Sequence, residues 1–430
     1  MQNQPASSVI GAGAPDRDFS PAELRGIVEN ALTGIAPGAR VLAIVPDKTR
    51  DDNTDLLFPF AAEALAGRKV SQFDALVAQG THAPMTEEEK RVKLGVRDPA
   101  AAPGLGSIFD HRWADPEQLV PIGELARDRV REMTGSLIDQ AVRLTVNRLL
   151  APGGYDTVLI FGATVPHEVA GFAGGAKYFF PGVAGPELTH LTHWLGALLN
   201  IENVIGRIET PSRRLIEAAA EFIPARVISL NSVVSRGRDH RLHTRALFAG
   251  DVREAFRRAA MVSQQVHIKY TGRKFQRVVA LLDEVYDELW VGGKASYKLG
   301  PIMEGGGELI IYAPHLRSVS AVHGSLIERY GYAPVEIVRQ LVAQSPDLQA
   351  NLCVAAHLAH VSFASRRDQY GQLVPRYQIT LASGIDEETC RRINLGYMDP
   401  LSFRRQDYES DPDTLVVEQA GRDLYLPEPF

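Results

Sequence analysis

The sequence predicts an α/β protein with two domains, each built around a mainly parallel sheet. Short aliphatic and β-branched runs alternate with helical patterns along the whole chain, which indicates strands joined by helices. The runs are nearly continuous in apolar residues, as is typical of strands covered on both faces of a parallel sheet. The 430 residues, 45% of them hydrophobic and 23% charged, exceed one domain of typical size and can form a substantial core.

The first half of the chain contains four predicted strands. They are the runs at residues 39–45, 73–78, 157–161 and 225–230. A helix is predicted from Asp251, because aspartate is a favoured N-cap and apolar residues follow at helical spacing in DVREAFRRAAMVSQQVHIKY. We therefore expect an N-terminal α/β domain over residues 1–248 and a connecting helix over 249–271.

The second half of the chain repeats the strand and helix signals. The runs RVVALL, DELWVGG and GELIIYAP predict strands at 277–282, 287–293 and 307–314, and SLIERYGYAPVEIVRQLVAQ predicts helices. The sequence after Arg404 is rich in Asp, Pro and Glu. We expect a C-terminal α/β domain over 272–407 and a peripheral tail over 408–430.

Composition restricts the partners of the protein. A net charge of -6 and a pI near 6.1 provide no overall basic surface for nucleic acid, and no apolar run is long enough to span a membrane. The first twenty residues lack the basic start and apolar stretch of a secretory signal. The two cysteines, Cys353 and Cys390, have no near neighbours of a thiolate metal site. We predict a cytoplasmic protein with free thiols and neither nucleic-acid nor membrane partners.

The residues after the first strand form a charged turn. In an open α/β sheet ligands bind at the carboxyl ends of strands, and VPDKTRDDNT brings Asp47, Lys48, Thr49 and Arg50 there. The planar guanidinium of Arg50 suits a carboxylate or a phosphate, with Asp47 to orient it. A solvated turn with a capping aspartate is the alternative interpretation.

Two further strands end in loops that carry titratable residues. AQGTHAPMTEEEK places His82 before a helix that opens at Thr86, where an imidazole suits proton transfer near neutral pH but is also an ordinary surface residue. FGATVPHEVAGFAGGAKYFFPG brings His167 and Lys177 onto one glycine-rich loop. The glycines indicate a sharp bend or a close approach to a ligand.

A helix is predicted directly after that loop. Pro186 suits its first turn, and His190 and His193, three residues apart, lie on one face of PELTHLTHWLGALL. One of the two is a candidate metal ligand. Paired histidines on a helix are also common as surface residues.

Together these motifs resemble the nickel-pincer lactate racemase family. The resemblance rests on DKTR, GTH, PHEVAGFAGGAKYFFPG and a histidine sixteen residues after Lys177, and it covers roughly residues 40–315. It implies an N-terminal α/β domain, a smaller C-terminal α/β domain and an active site in the cleft between them.

The resemblance also implies a cofactor. The family attaches a nickel-pincer nucleotide, pyridinium-3,5-bisthiocarboxylic acid mononucleotide, through a thioamide to a lysine that falls here at Lys177. His193 then completes the nickel coordination, since sulfur donors and imidazole in a planar field suit nickel. The N–H groups of Gly174 and Gly175 are expected near the cofactor phosphate. Asp47 and Thr49 are expected in the cofactor site, and separate maturation enzymes load the nucleotide.

The implied activity is racemisation or epimerisation of a 2-hydroxy acid, lactate-like or larger, by reversible hydride transfer. His82 and His167 match the family's two acid–base residues, and Arg50 would anchor the substrate. The segment GGKASYKLGPIMEGGGELIIYAPH departs from the family pattern, because a glutamine is missing and the glycine run comes sooner. Lys298, after Tyr297, is the best match to the substrate lysine, and both are predicted to bind substrate.

Other functions are compatible with parts of this pattern. Lys177 is also compatible with a Schiff-base lysine for pyridoxal phosphate, although His82 and His193 then have no role. A carrier that holds nickel or the nucleotide without turnover would need the lysine and the metal ligand but not two proton-transferring histidines. A dehydrogenase is disfavoured, because no strand is followed by a complete G-x-G-x-x-G turn.

Overall fold

The computed structural model describes residues 9–237 and 239–430, which form two compact units. Part of the N-terminal segment compared with a secretory signal lies outside these described residues. The first unit contains residues up to Val165, Ala170–Thr192 and Ile208–Val266. The second unit contains Pro166–Val169, His193–Arg207 and His267–Phe430.

Strands and helices alternate along most of the chain. The strands are β1 (Ile10–Gly13), β2 (Arg40–Pro46), β3 (Gln72–Ala78), β4 (Leu105–Asp110), β5 (Leu119–Leu125), β6 (Val142–Asn147), β7 (Thr157–Ala163), β8 (Pro166–His167), β9 (Gly171–Phe172), β10 (Arg226–Arg236), β11 (Leu242–Gly250), β12 (Ile268–Tyr270), β13 (Phe275–Leu281), β14 (Met303–Ala313), β15 (Ser365–Arg367), β16 (Leu373–Pro375), β17 (Gln378–Ser383), β18 (Gly396–Met398), β19 (Thr414–Val417) and β20 (Leu424–Leu426). The helices are α1 (Pro21–Ala31), α2 (Thr54–Gly67), α3 (Glu87–Lys93), α4 (Arg127–Thr134), α5 (Pro186–Leu198), α6 (Pro211–Ala220), α7 (Val252–His267), α8 (Leu289–Gly292), α9 (Lys294–Leu299), α10 (Gly324–Tyr330), α11 (Val335–Gln344), α12 (Pro346–Ala350), α13 (Leu352–Ser362), α14 (Glu387–Arg392) and α15 (Gln406–Glu409).

The first unit is organised around a seven-stranded sheet in the order β1-β11-β10-β7-β2-β3-β4. The pairs from β10 through β4 are parallel, whereas β11 is antiparallel to both of its neighbours. All four strands predicted in this half are present, because their apolar side chains are buried against helices, with Val41 and Leu159 fully inaccessible. The predicted mainly parallel α/β architecture is confirmed for this unit.

Local capping explains where two of the predicted helices begin. Thr86 accepts a hydrogen bond from the Glu89 N–H and starts α3. Asp251 Oδ1 accepts from the N–H groups of Arg253 and Glu254, so α7 begins where its N-cap was predicted. The first unit ends within α7, at Val266, inside the range expected for a connecting helix.

The second unit contains a five-stranded sheet in the order β18-β17-β14-β13-β19, with every pair parallel. The strands predicted at 277–282 and 307–314 are β13 and β14, and α10 and α11 occupy the segment predicted as helical. The strand predicted at 287–293 is wrong, because this run folds into α8. A short apolar run does not distinguish strand from helix, and here the Glu288 carbonyl accepts the N–H groups of Val291 and Gly292.

The C-terminal segment is not the peripheral tail that its composition indicates. β19 pairs with β13 at one edge of the five-stranded sheet, and β20 pairs with β12. Leu424 is fully buried and packs against Gly206. A Cβ on Gly206 would lie only 2.6 Å from Leu424 Cδ2, so glycine leaves the space that this side chain occupies. Residues 414–426 are therefore part of the core of the second unit.

The structure also bears on the two cysteines and on membrane-spanning helices. Cys353 and Cys390 are buried, and neither forms a disulfide with a described residue. Among the described residues, no helix is both long and apolar enough to cross a lipid bilayer.

Candidate active site

Asp47 follows β2 and is buried at the carboxyl end of that strand, with 3% of its surface exposed. Its Oδ1 accepts hydrogen bonds from the N–H of Thr49 at 3.0 Å and from the Thr49 hydroxyl at 2.6 Å. Its Oδ2 lies 2.6 Å from Nδ1 of His82, which follows the adjacent strand β3. The parallel pairing of β2 and β3 therefore brings the two predicted turns into one site.

The Asp47 carboxylate is stabilised in its ionised form. Burial raises the pKa of this carboxyl, but the charge of His82, its hydrogen bond to Asp47, the charge of Arg50 and the Thr49 hydrogen bond outweigh burial. The net effect is a pKa below the ordinary value for aspartate. A carboxylate that stays ionised can hold the proton of the imidazole on Nδ1, which leaves Nε2 as the basic atom.

Arg50 lies beside this pair, but its guanidinium makes no hydrogen bond to either residue. Its guanidinium makes no hydrogen bond or ion pair with another described residue and is partly buried. The sequence suggested Asp47 as the orienting partner of Arg50, but the hydrogen bonds of Asp47 go to Thr49 and His82. Arg50 influences Asp47 through charge, and its five N–H donors remain available to an anion.

Lys177 lies on the short 3-10 turn Gly175–Tyr178 in the same unit. This turn packs against β2, β7 and β10, and the next loop is joined to the His82 loop because the Gly80 N–H donates to the Gly182 carbonyl at 3.0 Å. Tyr178 covers Gly162, where a Cβ would meet the phenol. Burial raises the pKa of Tyr178, and the charges of Asp47 and Arg50 act on the same phenol. The lysine turn therefore adjoins the Asp47 turn.

The glycines before Lys177 are required by the packing of the protein itself. Gly174 has φ +100° and Gly175 has φ +59°, and a Cβ on Gly175 would lie 2.8 Å from Phe256 Cβ. The Gly175 N–H donates to Asn231 Oδ1 at 2.8 Å. This N–H is therefore already paired with a side chain in the protein, and its expected place near a cofactor phosphate stays a prediction.

Two buried hydroxyls near the glycine turn have no hydrogen-bond partner among the described residues. They are Thr164 Oγ1 and Ser232 Oγ, and a Cβ on Gly174 would lie 2.5 Å from the former. Unpaired buried hydroxyls are uncommon and fit a site that receives a polar group. Thr164 Oγ1 lies beside the turn that carries Lys177, where a hydroxyl suits a polar group of a nucleotide.

His167 belongs to the second unit, where it is 5% exposed. Its Nδ1 accepts a hydrogen bond from the Val169 N–H at 3.1 Å. The Glu168 carboxylate oxygen Oε2 lies 3.4 Å from the same nitrogen. Nδ1 of His167 therefore lies near both a donor, the Val169 N–H, and a carboxylate, that of Glu168. Nδ1 of His82 faces the ionised carboxylate of Asp47.

Lys298 and Tyr297 lie on α9 and are buried in the second unit. The Lys298 ammonium donates to the carbonyls of Pro166 at 2.6 Å and Arg422 at 3.2 Å, so it reaches the strand that carries His167. The Tyr297 hydroxyl is 2.7 Å from His357 Nδ1, and burial raises its pKa well above the ordinary value. These two predicted substrate contacts therefore already have protein partners.

The residues that hold Tyr297 were missed from the sequence. His357 contacts Tyr297 through Nδ1 and the Tyr332 hydroxyl through Nε2 at 3.3 Å, and its ring stacks on Trp290 with centroids 4.1 Å apart. Burial and the neighbouring histidines lower the pKa of His357 well below its ordinary value, so its ring is neutral. The signal that could have revealed it is the pair His357 and His360, three residues apart in the otherwise apolar helix LCVAAHLAHVS.

The two histidines of α5 have different surroundings. His190, in the first unit, meets the edge of Trp113 with ring centroids 5.5 Å apart, and burial lowers its pKa to about 4. His193 lies in the second unit and is partly exposed. Within the described part of the chain, no three His, Cys, Asp or Glu side chains form a metal site.

Comparison with known proteins finds one matching family model and solved structures with a similar fold. Residues 27–205 match the model of the lactate racemase N-terminal domain. A crystal structure of a protein from Thermotoga maritima matches with a TM-score of 0.87 and 33% identity, over 96% of this chain and 99% of that one. The structure of the lactate racemase apoprotein from Thermoanaerobacterium thermosaccharolyticum matches in fold with a TM-score of 0.69 and 18% identity, over 98% of this chain and 100% of that one. No curated protein matches significantly.

Proposed function

Because this chain belongs to the lactate racemase family, we propose that it is a nickel-dependent isomerase that racemises or epimerises a 2-hydroxy acid. The observation that carries the proposal is the hydrogen-bonded pair of the buried Asp47 and the partly buried His82, beside a guanidinium that has no partner among the described residues. A base and an anion-binding group side by side suit a substrate that carries a hydroxyl and a carboxylate. A non-catalytic carrier would need neither group.

We propose that Lys177 carries the nickel-pincer nucleotide and that His193 is the protein ligand of nickel. When bound, this cofactor supplies a centre that accepts and returns a hydride. The unpaired hydroxyls of Thr164 and Ser232 support a polar group beside the turn of Lys177. Maturation enzymes are the protein partners that this proposal requires.

His82 acts as a base through Nε2. Its Nδ1 proton is directed at Asp47 Oδ2, so the lone pair of Nε2 is available for the hydroxyl proton of the substrate. As the ring becomes positively charged, the ionised and buried Asp47 stabilises it. The loss of the hydroxyl proton makes departure of hydrogen from the adjacent carbon easier.

His167 serves the opposite enantiomer. With the Val169 N–H donated to Nδ1, the proton of the neutral ring lies on Nε2, so His167 in this state donates a hydrogen bond and does not act as a base. Its basic form requires the proton on Nδ1, where Glu168 Oε2 is the available acceptor. Glu168 would thus hold the proton on Nδ1 of His167, as Asp47 holds the proton on Nδ1 of His82.

Arg50 is proposed to bind the substrate carboxylate. A bidentate fork provides orientation as well as charge, and Arg50 has no ion pair with a described residue that would have to break first. Lys298 and Tyr297 are proposed to contribute to substrate binding in the second unit.

The test is production of the full chain with and without nucleotide maturation enzymes. Intact mass, peptide mapping and nickel analysis are followed by chiral chromatography of single enantiomers of 2-hydroxy acids of increasing size. We expect an adduct on Lys177, nickel, and interconversion of at least one substrate. Lys177→Ala should remove the adduct and the activity, whereas Lys274→Ala, at an exposed lysine, should change neither.

Isotope labelling separates the proposal from its rivals. A substrate deuterated at the reacting carbon should retain much of its label in the product, whereas abstraction of that hydrogen as a proton would exchange it with water. Complete loss of deuterium would refute the proposed mechanism. Protein that carries both nickel and adduct but converts none of the acids would instead identify a carrier.

A further inference from the structure

The second unit contains a pocket whose lining includes none of the proposed catalytic, cofactor-binding or substrate-binding residues. Its volume is about 280 Å³, and it lies between the glycine run of β14, the β15–β16 hairpin and the start of β17. That volume fits a small organic molecule. None of the described residues that line it is an aspartate or a glutamate.

Arg366 provides the charge of this pocket. Its side chain is exposed and makes no hydrogen bond or ion pair with another described residue. The neighbouring arginines differ, because Arg376 is paired with Glu202 at 2.6 Å and Arg367 donates to the Gly371 carbonyl at 2.7 Å. An unpaired guanidinium facing a pocket without carboxylates makes the pocket a site for an anion.

The glycine run explains why Arg366 has open space in front of it. A Cβ on Gly306 would lie 3.9 Å from a terminal nitrogen of Arg366, so any larger side chain here would extend toward the guanidinium. Gly306 has φ +86°, and a Cβ on Gly307 would lie 2.4 Å from the Gln276 carbonyl oxygen. The backbone conformation thus requires glycine at both positions and keeps the floor of the pocket free of side chains.

The other walls combine polar and apolar groups. Ser362 lines the pocket, is 4% exposed, and its Oγ has no hydrogen-bond partner among the described residues. The Gln378 carboxamide also lines the pocket. Val374, Ile379 and Leu395 form an apolar part of the wall. One cation, several neutral polar groups and an apolar wall suit a monoanion with a hydrophobic body.

We propose that this pocket is a binding site for a small organic carboxylate, with the carboxylate on Arg366 and the apolar body against Val374, Ile379 and Leu395. Gln378 and Ser362 supply neutral hydrogen-bonding groups. A phosphate is a poorer fit, because a dianion is expected to require more than one cationic partner and has no hydrophobic body. None of the residues that line the pocket is among those that carry the proposed isomerase activity.

Benzoate is a suitable probe, since it has a carboxylate and an apolar ring but no 2-hydroxyl group. Its binding to the full chain is measured by titration calorimetry in an Arg50→Ala background, so that the proposed substrate site does not contribute. We expect one benzoate per chain. Arg366→Gln should weaken binding by at least about 10-fold, as for loss of a hydrogen bond to a charged group.

Arg367→Gln is the matched control, because this adjacent arginine does not line the pocket and should leave the affinity unchanged. Val374→Trp should reduce benzoate binding by filling the pocket while Arg366 remains. Equal affinity of the Arg366→Gln and unsubstituted proteins would overturn the proposal, as would absence of benzoate binding. Inorganic phosphate binding more tightly than benzoate would overturn the assignment of a carboxylate.

Discussion

Oδ2 of Asp47 lies 2.6 Å from Nδ1 of His82, which joins the ends of two neighbouring parallel strands through one charge-assisted hydrogen bond. Asp47→Asn keeps the shape of the side chain but removes the negative charge that stabilises a protonated imidazole. We expect turnover by the loaded enzyme to fall by about 100-fold or more. Chiral assays in both directions test this, with nickel content as the control. Unchanged turnover would remove Asp47 from the proposed mechanism.

The same aspartate predicts how stability depends on pH. Its pKa is lowered in the folded protein, so its contribution is fully present above the ordinary aspartate pKa of about 3.9 and is lost as the pH falls toward the folded value. Urea unfolding of the unsubstituted and Asp47→Asn proteins should show a difference that is constant above about pH 5 and shrinks below about pH 4. A difference that grows on acidification would contradict the assignment.

Glu168 is predicted to position the proton of His167. Glu168→Gln removes the carboxylate 3.4 Å from Nδ1 but leaves the Val169 N–H in place, which favours the ring form that is not basic at Nε2. We expect turnover to fall by about 10-fold or more, with a changed pH profile and unchanged nickel content. Glu187→Gln, at an exposed position of α5, is the control. If both variants retain the original profile, Glu168 has no role in proton transfer.

Arg50 is predicted to determine affinity for the substrate carboxylate. Arg50→Ala should raise KM or reduce kcat/KM by about 30-fold, equivalent to about 2 kcal/mol. Arg50→Lys should recover little of this loss, because an ammonium lacks the bidentate fork. Arg97→Ala, which breaks an exposed pair with Glu88, serves as the control. Full rescue by lysine would show that charge alone matters.

Lys298 is predicted to stabilise the second unit as well as to bind substrate. Lys298→Met removes the donor from the carbonyls of Pro166 and Arg422, and buried acceptors left without a donor cost about 1–3 kcal/mol. Urea unfolding should therefore show a lower free energy of unfolding for Lys298→Met and no change for Lys274→Met at an exposed site. Equal stability of the two variants would show that the two carbonyl contacts contribute little.

The sequence predicted four strands of the seven-stranded sheet, because continuous apolar runs between helices are typical of strands buried on both faces, but it missed β1, β4 and β11. It also predicted the strand-end positions of Asp47 and His82, since parallel strands bring their carboxyl ends to one edge. It did not predict that these two residues pair with each other. That pairing depends on the order β7-β2-β3 in the sheet, which no local pattern contains.

The failures have similar causes. Residues 287–293 were expected to be a strand, but an apolar run of this length fits a buried helix equally well. The segment 408–430 was judged from its polar composition, although a few buried side chains such as Leu424 and Leu426 determine its place. The contacts of His357 with Tyr297 and Tyr332 bring together residues far apart in the sequence, so only the folded second unit reveals them.

The second unit is assembled from three stretches of chain, Pro166–Val169, His193–Arg207 and His267–Phe430. On the ribosome, the first two stretches emerge long before β19 and β20, which complete the pairing of β13 and β12 near the end of the chain. The first unit has all its residues once Val266 has emerged, so it can fold during translation, whereas the second must wait for nearly the whole polypeptide. No single truncation point can therefore separate the two units, and a recombinant fragment starting at His267 would lack the strand that carries His167 and the helical turn that carries His193.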